Sequence, residues 1–489
     1  MSDLPPTSGL EIDPNAMLLP GTDGNWVLLG GSPYTLLTLR APAAEFVKFL
    51  RQGLTVNTGA DEAHVSVTAA QRLARRLLQT GLAEPDLRAP SSITVTDITA
   101  VIPARNEANA IGALVASLHQ VGIEAVVVVD DASTDETAAQ ARSAGATVIS
   151  MSNGVSAGPG AAREAGAAAA TTPFVLFIDA DVSVSQAWVE PLLRAFGDPA
   201  VVAAAPRVRS SNQGGLIGTY ERWRSPLDLG ARRAAVRPRS RVAYVPTAAL
   251  LADVAAIRSV GGFDSALRTG EDVDLVWRLH AAGGVIRYEP TSVVEHRPRP
   301  TLRAFIAQRR GYGRSAAALD ARHPGMVAPL AASGWSVLVW ALPVVAWPIG
   351  IAAGATTALL TAALLERKLV AIAQPRTVAV KLAMRGHWGV GRQLASAIWR
   401  AWLPVALLAS LASRRARMVV IATAVLPNAA EWHTTRPDVN PVSFIAMRLL
   451  DDASYCAGVW DGCVRQHSFR AVWPHLANWP GRTTQSKVE

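Results

Sequence analysis

The stretch VLFIDADVSVS, Val175 to Ser185, is the most informative in the sequence. Four apolar residues run directly into two aspartates, Asp179 and Asp181, with only Ala180 between them. A short, continuous apolar run predicts a buried strand. Two carboxylates at its end repel each other unless a cation lies between them, and Mg²⁺ and Mn²⁺ prefer oxygen ligands. The stretch therefore predicts a buried strand that ends at a metal site; the alternative is a solvated turn.

The residues on either side, 93–300, alternate between strands and helices. The strand patterns are ITAVIPA, EAVVVVDD, ATVIS and FVLFIDAD, and the helix patterns are ANAIGALVASLHQVG, TDETAAQARSAG and AREAGAAAATT. Fully apolar strands alternating with helices predict an α/β fold with a mostly parallel sheet covered on both faces. Such sheets bind ligands beyond the carboxyl ends of their strands, where Asp130, Asp131, Asp179 and Asp181 lie.

The chain of 489 residues carries a net charge of +9, supplied almost entirely by arginine. A basic balance suits phosphorylated substrates, anionic membranes or nucleic acid. No nucleic-acid-binding signature accompanies it, so we expect no nucleic-acid partner. Two cysteines, Cys456 and Cys463, are too few for a disulfide framework or a four-cysteine zinc site, which suggests a reducing compartment. The N-terminus has no apolar segment of the kind found in secretory signals.

Residues 1–92 form a predicted separate module. WVLLGG and YTLLTL predict two short strands around a Gly-Gly-Ser-Pro turn. PAAEFVKFLRQG and TAAQRLARRLLQTG predict helices that end at Gly53 and Gly81. Residues 86–92 predict a linker to the α/β domain, which we expect to run from 93 to 325.

Residues 326–489 are predicted to form an apolar helical region. No charged residue occurs from Met326 to Leu365, and prolines near the middle of this stretch favour a hairpin of two membrane-crossing segments over one long span. A basic loop is expected next, and the positive-inside rule would place it and the α/β domain on the cytoplasmic side of the cell membrane. The alternative is a soluble helical subdomain.

Six motifs follow one another in a recognisable order. They are PARNE (103–107), DDASTDET (130–137), AGPGAAREAG, FIDAD, PTAALLADVAAIRSVGGFD and GEDVDLVWRLHAAG. Their order and spacing over residues 97–315 resemble the family 2 glycosyltransferases, which have the GT-A fold. The resemblance implies a nucleotide-sugar donor, with Mg²⁺ or Mn²⁺ as cofactor.

The resemblance also implies roles in donor binding. Pro103, Asn106 and Glu107 would border the nucleotide, and Asp131 would bind the base, which suggests uracil and a UDP-sugar. Asp179 would lie near the ribose or the metal, and Asp181 would be the main metal ligand. The family usually has an aromatic residue where this chain has Ala104, so stacking on the base is in doubt.

Asp272 matches the catalytic base of the family, and Glu271, Phe263 and Trp277 are candidates for acceptor contacts. Transfer with inversion needs a base for the acceptor hydroxyl, and a carboxylate at the start of a helix can serve. The alternative is that Glu271 and Asp272 only cap the helix and interact favourably with its dipole.

Other site candidates are one histidine and three arginines. His296 occupies a position where related enzymes have a metal-binding histidine; a structural histidine is the alternative. Arg163, Arg309 and Arg310 are candidates for clamping the diphosphate, with surface charge as the alternative for the last two. Processive synthases carry Q-x-x-R-W where this chain has QRRGYG, which argues against a polymerase of the cellulose-synthase type.

Competing classes fit less well. A Rossmann dehydrogenase needs G-x-G-x-x-G after its first strand, where this chain has PARNE. A sugar nucleotidyltransferase would need a glycine-rich, basic first loop. A polysaccharide exporter would need more clean membrane spans.

The arrangement of the whole chain resembles the glycosyltransferases of mycofactocin biosynthesis, which add glucose to a peptide-derived redox cofactor. LLGGSPYTLLTLRAPA resembles part of the small α+β, winged-helix-like peptide-chaperone modules of such pathways. The resemblance implies an inverting hexosyltransferase that moves glucose from UDP-glucose to a peptide-derived acceptor, with residues 1–92 recognising that acceptor or supporting the catalytic domain. The alternative function is a membrane-associated transferase that builds a cell-envelope glycan or glycolipid.

Overall fold

The computed structural model describes residues 4–5, 8–87, 91, 93–151 and 154–477. The chain divides into two compact units. The first comprises Met1–Gln213 and Arg224–Pro298, and the second comprises Gly214–Trp223 and Arg299–Glu489.

The N-terminal part of the first unit is a small α+β module. Its elements are β1 (Leu10–Ile12), β2 (Met17–Pro20), β3 (Trp26–Gly30), β4 (Thr35–Leu39), α1 (Ala41–Arg51), α2 (Val56–Glu62), α3 (Val67–Thr80) and β5 (Ala83–Pro85). Strands β2, β3 and β4 form an antiparallel sheet, and β1 pairs with β5. The predicted strands β3 and β4 and helices α1 and α3 are confirmed, whereas the short elements β1, β2, α2 and β5 were not predicted.

The module has its own hydrophobic core, centred on Leu28, Phe46 and Leu77, none of which is exposed to solvent. Helix α3 ends at Gly81, whose φ of 66° is the left-handed conformation that glycine adopts without strain. Most of the predicted linker, residues 88–90 and 92, lies outside the described residues.

The rest of the first unit is built around a nine-stranded sheet. The elements of this part of the chain are β6 (Ile98–Ala104), α4 (Ile111–Gln120), β7 (Ala125–Asp130), α5 (Thr137–Ser143), β8 (Thr147–Ser150), α6 (Pro159–Ala169), β9 (Phe174–Ile178), β10 (Val182–Val184), α7 (Glu190–Ala195), β11 (Val201–Ser210), α8 (Gly215–Arg224), β12 (Ala234–Ala235), β13 (Ala249–Asp253), α9 (Val254–Ser259), α10 (Glu271–Ala281) and β14 (Val285–His296). Nearly all of α8 belongs to the second unit.

The strand order is β10-β14-β11-β13-β9-β6-β7-β8, with β12 paired to β14. Strands β9, β6, β7 and β8 are parallel, and β13 lies antiparallel between β9 and β11. The predicted α/β fold is confirmed, but the sheet is mixed rather than mostly parallel, because β10, β12 and β13 run antiparallel to their neighbours. Strands β6, β7 and β9 end at the same edge, where Asp130 is the last residue of β7, Asp131 follows it and Asp179 follows β9.

The module is joined to the nine-stranded sheet, hereafter the catalytic sheet after the function argued below, by ion pairs between charged side chains. Arg75 of α3 forms a buried ion pair with Asp198, at 2.6 Å. Glu84 of β5 pairs with Arg287 of β14, at 2.8 Å. Because such charges lose their hydration on burial, each partner depends on the other, and the two parts of this unit support one another.

The second unit is helical. Besides α8 it contains α11 (Leu302–Arg322), β15 (Ala331–Ser333), α12 (Gly334–Val345), α13 (Ile349–Glu366), α14 (Pro375–Arg400), α15 (Leu403–Ala412), α16 (Arg414–Thr435), α17 (Pro441–Arg465) and β16 (His475–Ala477). Glycines hold α11 close to α17: a Cβ on Gly313 would lie 2.0 Å from the Tyr455 carbonyl oxygen, and one on Gly458 would lie 2.0 Å from the Arg310 carbonyl oxygen. The units therefore divide at Pro298 rather than at the predicted residue 325, because α11 packs on α17.

Helices α12 and α13 form the predicted apolar hairpin. A Cβ on Gly350 would lie 1.9 Å from the Leu342 carbonyl oxygen, and one on Gly354 would lie 2.9 Å from that of Val339, so the helices run antiparallel in close contact. By length and composition alone, α13 is long and apolar enough to cross a membrane. Helices α14 and α15 meet the same criterion only if they are taken together as one span with a bend of 91°. The predicted basic loop is wrong, since most of its arginines lie within α14.

Candidate active site

A possible metal site lies where β9 and β14 end. Asp179, Asp181 and His296 each offer one ligand atom, and these atoms lie within 4.8 Å of one another. The short strand β10 pairs with β14 so that Val182 lies opposite His296, which brings the imidazole to the Asp-x-Asp turn. His296 Nε2 is 3.2 Å from Asp181 Oδ1. Two carboxylates and one imidazole suit a divalent ion such as Mn²⁺, and the carboxylates suit Mg²⁺.

Arg163 of α6 joins this site to helix α10. Its guanidinium donates to Asp179 Oδ1 at 2.6 Å and to Glu271 Oε1 at 2.7 Å. Its side chain is only 5% exposed. Gly160 allows the close approach, because a Cβ there would lie 3.3 Å from Glu271 Cγ. Through these two ion pairs Arg163 braces β9 against α10. Its predicted contact with a diphosphate stays a prediction.

Asp272 lies in the first turn of α10, after Gly270 in the left-handed conformation. Its Oδ1 accepts a hydrogen bond from the backbone N–H of Val273. Burial and the neighbouring Glu271 carboxylate raise the pKa of Asp272 to about 7, although the nearby Arg163 lowers it. A half-buried carboxyl group with such a pKa can accept a proton near neutral pH, which is the property of a general base.

Asp131 holds the loop that precedes α6. Its carboxylate accepts hydrogen bonds from the backbone N–H of Ala157 at 2.7 Å and of Gly158 at 3.0 Å, and from Ser156 Oγ at 2.6 Å. Burial raises the pKa of Asp131, but these hydrogen bonds outweigh it and hold the pKa below its usual value. Asp131 is therefore an ionised anchor for this loop, and its contact with a nucleotide base stays a prediction.

The loops after β6 and β7 are joined by hydrogen bonds. Asn106 adopts a left-handed φ of 57°, and its side-chain oxygen accepts from the backbone N–H of Thr134 at 2.8 Å. The backbone N–H of Glu107 donates to Thr137 Oγ1, also at 2.8 Å. Ala104 is buried at the end of β6, so it presents no ring on which a base could stack. The roles of Pro103, Asn106 and Glu107 at the nucleotide stay predictions.

Comparison with known proteins places the chain in a family. The family model "Glycosyl transferase family 2" matches residues 99–256. Over 481 residues the chain is 39% identical to the "Pre-mycofactocin glycosyltransferase" of Mycobacterium tuberculosis, and the match covers 97% of this chain and 98% of that protein. The chain belongs to glycosyl transferase family 2.

Other similarities of this family 2 glycosyltransferase are narrower. It is 44% identical to the 4,4'-diaponeurosporenoate glycosyltransferase of Staphylococcus aureus, over 91 residues that cover 18% of this chain and 24% of that one. A solved mannosyltransferase from Pyrobaculum calidifontis, in complex with GDP-Man and Mn²⁺, is 16% identical over 62% of this chain and 90% of its own, with a TM-score of 0.36.

Two predicted diphosphate ligands lie in the second unit. Arg309 is 2% exposed and is held by Glu221 at 2.5 Å, Asp451 at 3.1 Å and the ring of Phe305. Its guanidinium is therefore committed to the interior of the helical unit, and the predicted clamp does not fit it. Arg310 is about half exposed and lies 3.6 Å from Asp461, so its role stays a prediction.

The predicted acceptor residues are buried. Phe263 makes an edge-to-face contact with Phe177 of β9, and the Trp277 indole N–H donates to the Ala243 carbonyl oxygen. Glu271 is held by Arg163. Because these side chains are at most 6% exposed, none presents a surface on which an acceptor could rest, and they support α10 instead.

Sequence reasoning missed Glu164, the residue after Arg163. Its Oε2 accepts a hydrogen bond from the backbone N–H of Phe263 at 2.8 Å, which fixes the turn before α10. Gly262 has a φ of 68°, and a Cβ there would lie 2.2 Å from Glu164 Oε2. The glycine pair of GGFD was the available signal, since it marks a turn that a carboxylate could approach closely.

Proposed function

We propose that this family 2 glycosyltransferase transfers a hexose, glucose, from UDP-glucose to a peptide-derived redox cofactor in mycofactocin biosynthesis, with inversion at the anomeric carbon. The observation that carries the proposal is the 39% identity with the pre-mycofactocin glycosyltransferase of M. tuberculosis. That similarity extends over the N-terminal module and the helical unit as well as the catalytic sheet, so it concerns the arrangement of the whole chain.

The chemistry follows from the placement of Asp272. The Asp272 carboxylate accepts the proton of an acceptor hydroxyl, and the oxygen attacks the anomeric carbon as the bond to the diphosphate breaks. The proton ends on Asp272 and the electron pair of the broken bond on the diphosphate. A single displacement inverts the configuration, so an α-linked donor gives a β-linked product.

The leaving diphosphate needs positive charge. Asp179, Asp181 and His296 would hold the divalent ion, Mn²⁺ or Mg²⁺, which neutralises the diphosphate when bound. Arg163 holds Asp179 in place and links it to Glu271, next to Asp272. The buried Arg163 side chain thus connects one proposed metal ligand, Asp179, to the helix that carries the proposed base.

The test uses the full-length enzyme with UDP-glucose and the aglycone of the peptide-derived cofactor. We expect mass spectrometry to show a product heavier by one or more hexoses, and the anomeric proton coupling in its NMR spectrum to show a β linkage. Asp272→Asn is the matched control and should give no product. No transfer to the cofactor by wild-type enzyme with any UDP-hexose would contradict the proposal.

A glycolipid or cell-envelope acceptor is the second candidate. The observation that favours it is the exposed apolar surface of the second unit, where Trp347, Leu408 and Leu411 are mostly solvent-exposed. The same assay with a lipid extract as acceptor separates the two candidates: a hexose found only in the organic phase would support this one.

A further inference from the structure

The second unit exposes an apolar surface at the turn of the α12–α13 hairpin. Six consecutive apolar residues, Val344–Ile349, are all exposed. Helix α15 contains no buried residue, and Leu408 and Leu411 are 68% and 82% exposed. Isolated exposed apolar side chains are normal on a surface that faces water. A contiguous run of them instead marks a site of interaction with another molecule or a membrane.

These two segments lie side by side. Arg415 Nη1, at the start of α16, donates to the Val345 carbonyl oxygen at 2.7 Å. Arg415 follows Leu411 by only four residues, so the end of α15 lies beside the hairpin turn. We call the residues 344–349 and 403–412 together the apolar tip.

The charges around the apolar tip are all positive. Arg414, Arg415 and Arg417 are exposed just beyond α15. Neither 326–365 nor 403–430 contains an acidic residue. Exposed apolar side chains bordered by arginines complement a bilayer with anionic headgroups, since the apolar groups enter the acyl region and the cations bind phosphate. A tryptophan such as Trp347 suits the level of the headgroups.

The helices that carry the apolar tip do not fit a structure that crosses the bilayer. The hydrocarbon core is about 30 Å thick, whereas α12, with 12 residues, is about 18 Å long, and α15, with 10 residues, is about 15 Å long. Helix α13 is long enough, but it lies against α14, where His387 Nε2 is 2.8 Å from Thr361 Oγ1. Arg385 and Arg392 of α14 are exposed on either side of His387 and would lie in the hydrocarbon.

We propose that the apolar tip is a monotopic membrane-docking surface, whose tryptophan and leucines enter one leaflet while its arginines bind anionic lipid headgroups. This revises the predicted membrane-crossing hairpin and keeps the whole chain on one side of the cell membrane. The cytoplasmic leaflet is the anionic one, which agrees with the predicted cytoplasmic location of the catalytic domain.

The experiment measures sedimentation of the purified full-length chain with vesicles of phosphatidylcholine, with and without phosphatidylglycerol. We expect binding to the anionic vesicles. Leu408→Ser with Leu411→Ser should lower the partition coefficient by about tenfold or more, because two apolar anchors are lost. Arg414→Gln with Arg417→Gln should lower it by about fivefold for each arginine removed, and only on anionic vesicles.

The matched control is Val442→Ser with Val464→Ser, two exposed valines of α17 outside the apolar tip. It should bind as the wild type does, and all variants should keep the wild-type melting temperature because the replaced side chains are exposed. Equal loss in the control and tip variants, or no vesicle binding by the wild type, would overturn the proposal. So would a dimer in solution that the leucine substitutions dissociate.

A further measurement separates docking from crossing. A cysteine placed at the hairpin turn, Ala346→Cys, should not react with a membrane-impermeant maleimide added outside intact cells, because a monotopic surface does not carry the turn across the bilayer. Labelling of this cysteine from outside the cells would contradict the monotopic arrangement in favour of a true span.

Discussion

Asp272 owes its basicity to its neighbours. Burial and the charge of Glu271 raise its pKa to about 7. Because the base must be ionised to accept a proton, kcat/KM should rise with pH through about 7 and level off above it. A rate profile measured with saturating metal checks this, and a profile flat down to pH 5 would argue against Asp272 as the base.

Replacing Asp272 separates catalysis from binding. Asp272→Asn keeps the volume of the side chain but removes the proton acceptor, so transfer should fall by about 10²–10⁴-fold. Calorimetry should show UDP binding close to that of the wild type, because Asp272 is not among the three side chains that would hold the metal. A loss of UDP binding together with transfer would instead assign Asp272 to the donor site.

Arg163 should set the pH at which Asp272 works. Its positive charge lowers the pKa of Asp272, so Arg163→Gln should move the acid limb of the rate profile to higher pH. Arg163→Lys keeps the charge and should leave the limb close to its wild-type position, although lysine lacks the planar fork that donates to both carboxylates in the wild type. Lower activity in both variants with unmoved limbs would mean that Arg163 only supports the fold.

The predicted role of Asp181 as a metal ligand can be tested by measuring metal-dependent UDP binding. If it ligates the metal, Asp181→Asn should weaken Mn²⁺-dependent UDP binding by at least about 10–100-fold, the loss typical of outer-shell metal partners. Ser183→Ala, two residues along on the exposed face of β10, is the matched control and should bind normally. Unchanged Mn²⁺-dependent binding in Asp181→Asn would exclude the residue as a ligand.

At the scale of elements, helix α11 contains a glycine pair with opposite environments. A Cβ on Gly313 would lie 2.0 Å from the Tyr455 carbonyl oxygen of α17, whereas Gly311 has no neighbouring atom within 4 Å of that position. Gly313→Ala should therefore cost about 1–3 kcal/mol of the free energy of unfolding through overpacking. Gly311→Ala should gain about 0.5–1 kcal/mol, the helix-propensity difference between the two residues.

Thermal unfolding of the two variants measures this contrast. The melting temperature should fall for Gly313→Ala and rise slightly for Gly311→Ala, while transfer activity of Gly311→Ala should be unchanged. If both substitutions stabilised the chain equally, the close contact between α11 and α17 would be wrong. Packing against α17 would then not explain why the QRRGYG motif contains Gly313.

At the scale of the whole molecule, the N-terminal module and the catalytic sheet share buried charges. Arg75→Ala leaves Asp198 buried without its cation, so it should cost about 3–5 kcal/mol of the free energy of unfolding. The double variant Arg75→Ala with Asp198→Ala should cost less than the sum of the single changes, because neither charge is left unpaired.

Enzyme kinetics on the same variants test what the module does. If it supports the catalytic sheet, donor hydrolysis and transfer to the acceptor should decline together as stability falls. A higher KM for the acceptor alone, at unchanged melting temperature, would instead support the predicted task of acceptor recognition.

The core of the catalytic domain could be predicted from the sequence alone. Continuous apolar strands such as ITAVIPA and FVLFIDAD are legible because both faces of a parallel sheet are buried, so the whole run must be apolar. Asp179, Asp181 and Asp272 could be placed at a strand end and at the start of a helix from the local pattern, whereas their predicted roles came from the family resemblance. The helices of the module were predicted from their glycine stops for the same local reason.

Which arginines are exposed follows from tertiary contacts that the sequence does not show. Nothing in the sequence distinguishes Arg163 and Arg309 from exposed arginines, yet each is buried between two carboxylates, and three of these four carboxylates lie more than 80 residues away along the chain. Phe263 and Trp277 were candidates for acceptor contacts but lie in the interior, because burial depends on which elements meet across the sheet. The position of the apolar tip also depends on tertiary packing. Composition shows that residues 326–365 are apolar, but which of them face solvent depends on the helices that pack against them.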